Sequence, residues 1–166
     1  MGRAGDVAAG ASRGVARNGR LTAWATQPPE PHGSISMRIR GGVDAPGRAR
    51  RSVLSQLGSQ IPQTTASDVA LVVSELVSNS VLHADVGPRR TLTLEMLTLD
   101  DRLRISVIDP GSRLEPRILP RDRERAGGAG LFIVRELSEA WGVAHDGSGA
   151  TRVWCDIPLN RPRESV

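Results

Sequence analysis

Glu75, Asn79 and His83 stand four residues apart in the run from Ser67 to Ala84, which is otherwise dominated by Val, Leu and Ala. That run has the composition of a core helix. On a helix, residues at i, i+4 and i+8 drift by only about 40° per step, so the acid, the amide and the imidazole form one stripe about 12 Å long. Polar groups on so apolar a helix are costly unless they meet a polar partner. The chain must therefore fold around this helix and leave the stripe facing something polar, a metal-nucleotide being one candidate.

With 166 residues the chain suits one domain with a real core. Only 2% of the residues are aromatic, so the core has to be aliphatic. All 22 basic residues are Arg, which excludes a phosphate loop of the Gly-Lys-Ser/Thr type. The net charge of +4 is unevenly placed. Residues 37–60 are rich in Arg, whereas residues 61–110 are acidic. The basic part suits phosphates or a partner surface, or is a solvated face. No recognition-helix pattern or interleaved aromatics accompanies it, so no direct nucleic-acid partner is expected. Cys155 is the only cysteine, which excludes an internal disulfide and a cysteine-ligated zinc site. No membrane span and no secretory leader are expected, which makes a cytoplasmic location the default.

Residues 1–33 are rich in Gly, Ala, Arg and Pro and close on Pro28-Pro29-Glu30-Pro31. They read as a flexible tail, with its aromatic residue, Trp24, standing exposed rather than docked. A domain spans residues 34–159, and residues 160–166 fray. Ile35, Met37 and Ile39 alternate as in a strand. Asp44 then caps a helix to about Gly58, with Val53, Leu54 and Leu57 inward. Thr65 or Ser67 caps the long helix to about Ala84. Two strands follow as a hairpin, the second meeting Asp109 at its end. Residues 110–128 form a long loop, and Ala129–Ala140 a helix. Strands at 142–146 and 151–159 complete the sheet. This order predicts an α+β two-layer sandwich, a mixed β-sheet covered on one face by helices.

Several motifs on this frame carry chemistry. Asn79 offers a neutral oxygen of the kind Mg²⁺ accepts beside phosphates and water. Glu75, one turn earlier, can take a proton from an attacking hydroxyl or water. His83 can hydrogen-bond phosphate. Asp109 in Asp109-Pro-Gly111 can accept a hydrogen bond from an exocyclic amine, or simply belong to an Asp-Pro-Gly turn. Gly127-Gly-Ala-Gly130 leads into a helix, whose free N–H groups favour phosphate. Thr151, at a strand start, can reach an adenine edge or be an ordinary strand residue.

In this order and spacing the motifs resemble the Bergerat-fold, or histidine-kinase-like, ATPase superfamily. Glu75-x-x-x-Asn79-x-x-x-His83 resembles its N box and Asp109-x-Gly111 its first glycine box. Gly128-x-Gly130-Leu131 resembles its second glycine box, and the Thr151 strand resembles the segment that closes its adenine pocket. The short form, with Ser-Glu-Leu-Val-x-Asn and Thr-x-Val-Trp, is similar to stand-alone anti-sigma factor serine/threonine kinases. The resemblance implies ATP and Mg²⁺ as cofactors. It makes Glu75 the general base and Asn79 the Mg²⁺ ligand. His83, Asp109, Gly111, Gly128, Gly130, Leu131 and Thr151 line the nucleotide site under a lid of residues 112–127. It implies phosphorylation of an anti-anti-sigma-type antagonist, binding of a sigma factor, and a homodimer. Arg113 departs from the pattern, standing where the first glycine box usually ends in Gly. A nucleotide-gated binding module without kinase activity is the alternative reading.

Overall fold

The computed structural model describes residues 13–16, 31–58, 60–84, 86–111, 129–145 and 149–160. Its elements are β1 (Arg13–Ala16), β2 (Gly33–Arg40), α1 (Ala45–Leu57), α2 (Gln63–His83), β3 (Thr91–Thr98), β4 (Arg102–Asp109), α3 (Ala129–Leu137), β5 (Ala140–His145) and β6 (Thr151–Pro158). The strands form one sheet in the order β1-β5-β6-β4-β3-β2. The α+β sandwich is as expected, but every strand pair in the sheet is antiparallel rather than mixed. The hairpins β3–β4 and β5–β6 are antiparallel by necessity. Their union through β4 and β6 keeps the same sense, because the loop and α3 return the chain to the end from which β4 left.

Strand alternation sorts the side chains cleanly. Leu92, Leu94 and Met96 of β3, Leu103, Ile105 and Val107 of β4, and Val153, Cys155 and Ile157 of β6 all enter the core. Against them pack Ala45, Ala49, Val53 and Leu57 of α1, one stripe at four-residue spacing, and Val69, Val72, Val73, Leu76 and Val77 of α2. Leu54, expected inward, is 39% exposed because it falls off that stripe.

Several boundaries differ from expectation for identifiable reasons. Asp44 precedes α1 but lies in helical backbone and makes no side-chain cap. The long helix starts at Gln63, after Pro62, ahead of both expected caps. Thr65 instead donates to the carbonyl of Leu159 at 3.4 Å, and Ser67 to the carbonyl of Gln63 at 3.1 Å. A missing cap costs about 1 kcal/mol, whereas each buried Val or Leu contributes roughly 1.5–3 kcal/mol. Packing therefore decides where α2 begins. By length and composition α2 would pass for a membrane span. Most of its apolar residues, Val69, Val72, Val73, Leu76 and Val77 among them, are instead buried in the core, although Leu71 and Leu82 stay exposed. Helix α3 stops at Leu137, because Glu139 N–H already pairs with Asp156 of the sheet at 2.9 Å.

Residues 13–16, assigned to a flexible tail, form a strand on the outer edge of β5. Order also starts before Ser34: His32 N–H donates to the carbonyl of Thr98 at 2.9 Å, and its ring meets Asp100. Edge pairing uses backbone groups alone, so the composition of that stretch carried no sign of it.

Candidate nucleotide site

Helix α2 carries the polar stripe past the first turn of α3. Glu75 is half-buried and Asn79 is 9% exposed. Gly130 in α3 lies directly against both. A Cβ at that position would stand 2.7 Å from Oε2 of Glu75, 3.6 Å from Oδ1 of Asn79 and 3.7 Å from its Nδ2. Only glycine lets the start of α3 approach this closely. The first-turn N–H groups of a helix have no intrahelical acceptors, so the acid, the amide and these donors converge on one spot.

Burial pushes the Glu75 carboxyl above its ordinary range. Asn79 Nδ2 is buried with no hydrogen-bond partner among the described residues. A buried amide left in that state costs roughly 1–3 kcal/mol, and a ligand with oxygen atoms would recover the loss. The residues present thus fit a metal-bound phosphate: the Asn79 amide supplies one neutral oxygen, and phosphate oxygens satisfy the free N–H groups.

A second cluster lies at the shared end of β4 and β6. Asp109 and Thr151 are register partners, and both are buried. Ser80 Oγ donates to Asp109 Oδ2 at 3.0 Å, and Gly111 N–H donates to Asp109 Oδ1 at 2.9 Å. Burial is the largest influence on Asp109 and raises its pKa; the hydrogen bonds from Gly111 and Ser80, then the Arg90 and His145 charges, pull the other way. Thr151 Oγ1 meets Nδ1 of His145 at 3.2 Å. Gly111, at φ +98°, packs on the backbone of Gly149, whose oxygen would lie 1.9 Å from an added Cβ. The two clusters are joined through α2, because Ser80 follows Asn79 directly.

Glu75, Asn79 and Gly130 thus come together, as do Asp109, Gly111 and Thr151. Leu131 turns its side chain into the core, so only its backbone faces the site. His83 is exposed on the last turn of α2. Gly128, Gly127, Arg113 and the expected lid lie outside the described residues. Ser80 and His145 were missed. Ser80 had a faint signal, a second polar residue beside Asn79 on an apolar helix; His145 had none, since its place depends on the β5–β6 register.

A family model described as the Histidine kinase-like ATPase domain matches residues 45–155, from the start of α1 to the middle of β6. The chain belongs to this family. The matched span contains every site residue named above. Among curated relatives, the chain is 28% identical over 98 residues to the anti-sigma F factor of Caldanaerobacter subterraneus subsp. tengcongensis, covering 54% of this chain and 68% of the relative. It is 33% identical over 84 residues to the serine-protein kinase RsbW of Listeria monocytogenes serovar 1/2a, covering 43% of this chain and 54% of the relative. The match thus spans about half the length of the Listeria kinase.

Proposed function

We propose that this protein is an anti-sigma-type regulator, acting in the cytoplasm, that uses Mg-ATP to phosphorylate a serine or threonine of a small antagonist protein and holds a sigma factor when that antagonist is spent. The observation that carries the proposal is the packing of Gly130 against both Glu75 and Asn79. A carboxylate, an amide and helix N–H donors meet there, which supports the reading because phosphoryl transfer uses a proton acceptor, a metal ligand and phosphate donors. The names of the two relatives support the same reading.

Bound Mg-ATP supplies the transferable phosphoryl group, with the metal neutralising its charge. Asn79 would hold the metal. The N–H groups of the α3 first turn would hold phosphate oxygens against the helix dipole. Asp109, kept in place by Ser80 and Gly111, would accept from the adenine amine, and Thr151 would line the same edge. Glu75 would take the proton of the attacking hydroxyl. Its raised pKa makes it a better base than an ordinary carboxylate.

The test is incubation with labelled ATP, Mg²⁺ and small proteins encoded nearby. A labelled serine or threonine on one of them, lost with Glu75→Ala while ATP binding persists, is the expected result. Tight ATP binding with no label on any candidate would favour a nucleotide-gated module instead.

A further inference from the structure

Three polar residues form one row across the shared end of β5, β6 and β4. Thr151 is the register partner of His145 on one side and of Asp109 on the other. Each stands two residues from a core residue of its own strand, Thr151 from Val153 and Asp109 from Val107, so the row lies on the helix-covered face. Thr151 is 1% and Asp109 5% exposed, whereas His145 is exposed. Ser80 reaches the row from α2 by donating to Asp109. Thr151 Oγ1 meets Nδ1 of His145 rather than the neighbouring carboxylate.

A hydroxyl has one hydrogen to give and two lone pairs to offer. What Thr151 can do for a ligand therefore depends on which way its bond to His145 runs. With Nδ1 as acceptor, the hydrogen is spent on the ring, and Thr151 and Asp109 present acceptors only. With Nδ1 protonated and donating, the hydrogen is released, and the pair presents a donor beside an acceptor. Electrostatics favours the second direction. Asp109 and His145 attract one another, which draws a proton to the ring nitrogen that faces the row. The first direction would also set lone pairs against lone pairs between two buried neighbours.

Register partners stand about 4.5–5.5 Å apart at Cβ, so their polar atoms can meet two adjacent positions on one ring edge. A donor beside an acceptor matches an exocyclic amine next to an unprotonated ring nitrogen, which is the edge of adenine. Resting on the nucleotide reading above, we propose that His145 is a positioning residue for base recognition: by donating from Nδ1 to Thr151 Oγ1, it turns the Thr151 hydrogen onto the adenine ring nitrogen beside the amine. His145 touches no part of the nucleotide, and its effect passes through Thr151.

Calorimetric titration with Mg-ATP and with Mg-1-deaza-ATP, in which that ring nitrogen is a C–H, tests this. The quantity read is the ratio of the two dissociation constants, in which effects on the phosphates, the amine and the fold cancel. The wild type should prefer ATP by about fivefold, the worth of one neutral hydrogen bond. His145→Asp puts an acceptor beside Thr151, captures the hydroxyl hydrogen and should abolish the preference. His145→Asn, whose amide can donate, should restore it. Thr151→Val should abolish it as well, and adding His145→Asp to that variant should change the ratio no further. Since His145 is exposed, the urea midpoint of its variants should match the wild type. A preference kept in folded His145→Asp, a preference lost in His145→Asn, or none in the wild type would overturn the assignment and leave the nucleotide reading standing. Failure of the wild type to bind either triphosphate would overturn both.

Discussion

A β-carbon on Gly130 would lie 2.7 Å from Oε2 of Glu75, so the first turn of α3 and the acid of α2 share one boundary with no room for a methyl group. Gly130→Ala therefore forces the carboxylate to swing away. The fold should tolerate this. Alanine gains up to about 1 kcal/mol of helix propensity over glycine, and the displaced atoms are the end of a flexible side chain. Phosphotransfer should fall by at least about tenfold, since a displacement of about 1 Å at a catalytic group can cost more than that. Comparing the transfer rate with the thermal midpoint checks it: an unchanged rate with the fold intact would remove Glu75 from the chemistry.

Asn79→Ala should separate stability from function. The substitution removes a buried amide nitrogen that has no partner among the described residues, so the penalty of about 1–3 kcal/mol for that group disappears and offsets the lost packing. Mg-dependent ATP binding should be abolished while the apo protein keeps its denaturation midpoint to within about 1 kcal/mol. Calorimetric titration and urea unfolding on the same preparation measure both.

Glu75 and Asp109 both have folded-state pKa values raised mainly by burial. For an acid with a raised folded pKa, the folded state binds more protons than the unfolded state in the window between the two values. Stability is therefore greatest below the ordinary pKa, 4.5 for Glu75, and declines as pH rises through the folded value. Glu75→Gln should flatten that decline in a pH series of urea melts. The proposed phosphotransfer has the opposite slope: it should fall on acidification at a higher pH than an ordinary carboxylate would give, because Glu75 must be ionised to serve as the proposed base.

Gly111→Ala should be the most damaging of these changes to the fold. The residue has φ +98°, and its Cβ would be driven to 1.9 Å from the backbone oxygen of Gly149. Left-handed backbone alone costs about 1–2 kcal/mol for alanine, and here backbone rather than a side chain has to move. We expect a loss exceeding about 2 kcal/mol, read as a lower denaturation midpoint. The same substitution at Gly149, where φ is +89° but an added Cβ meets nothing, should cost only the dihedral term.

Periodicity made much of this architecture legible. The alternation in β2, β3, β4 and β6 and the apolar run of α2 are local patterns, written by which face each residue must bury. Glu75, Asn79 and Gly130 stood out as candidates too, because a polar stripe on a buried helix and a glycine run before another helix break those patterns. Their mutual approach was not. Gly130 reads as a phosphate-loop glycine, but its contact with Glu75 and Asn79 exists only because α3 packs on α2. Ser80 and His145 become part of the site through Asp109 and Thr151, which are brought beside them by strand register.

By itself, the sequence determined an α+β domain, an aliphatic core and the residue types available for phosphate, metal and adenine, since hydrophobic period and side-chain chemistry are local properties. Tertiary structure alone decided that the sheet is wholly antiparallel, that residues 13–16 pair along its far edge, and that Trp154 is buried on the face without helices. Those outcomes depend on backbone pairing between segments distant in the chain, a choice that side-chain periodicity does not encode.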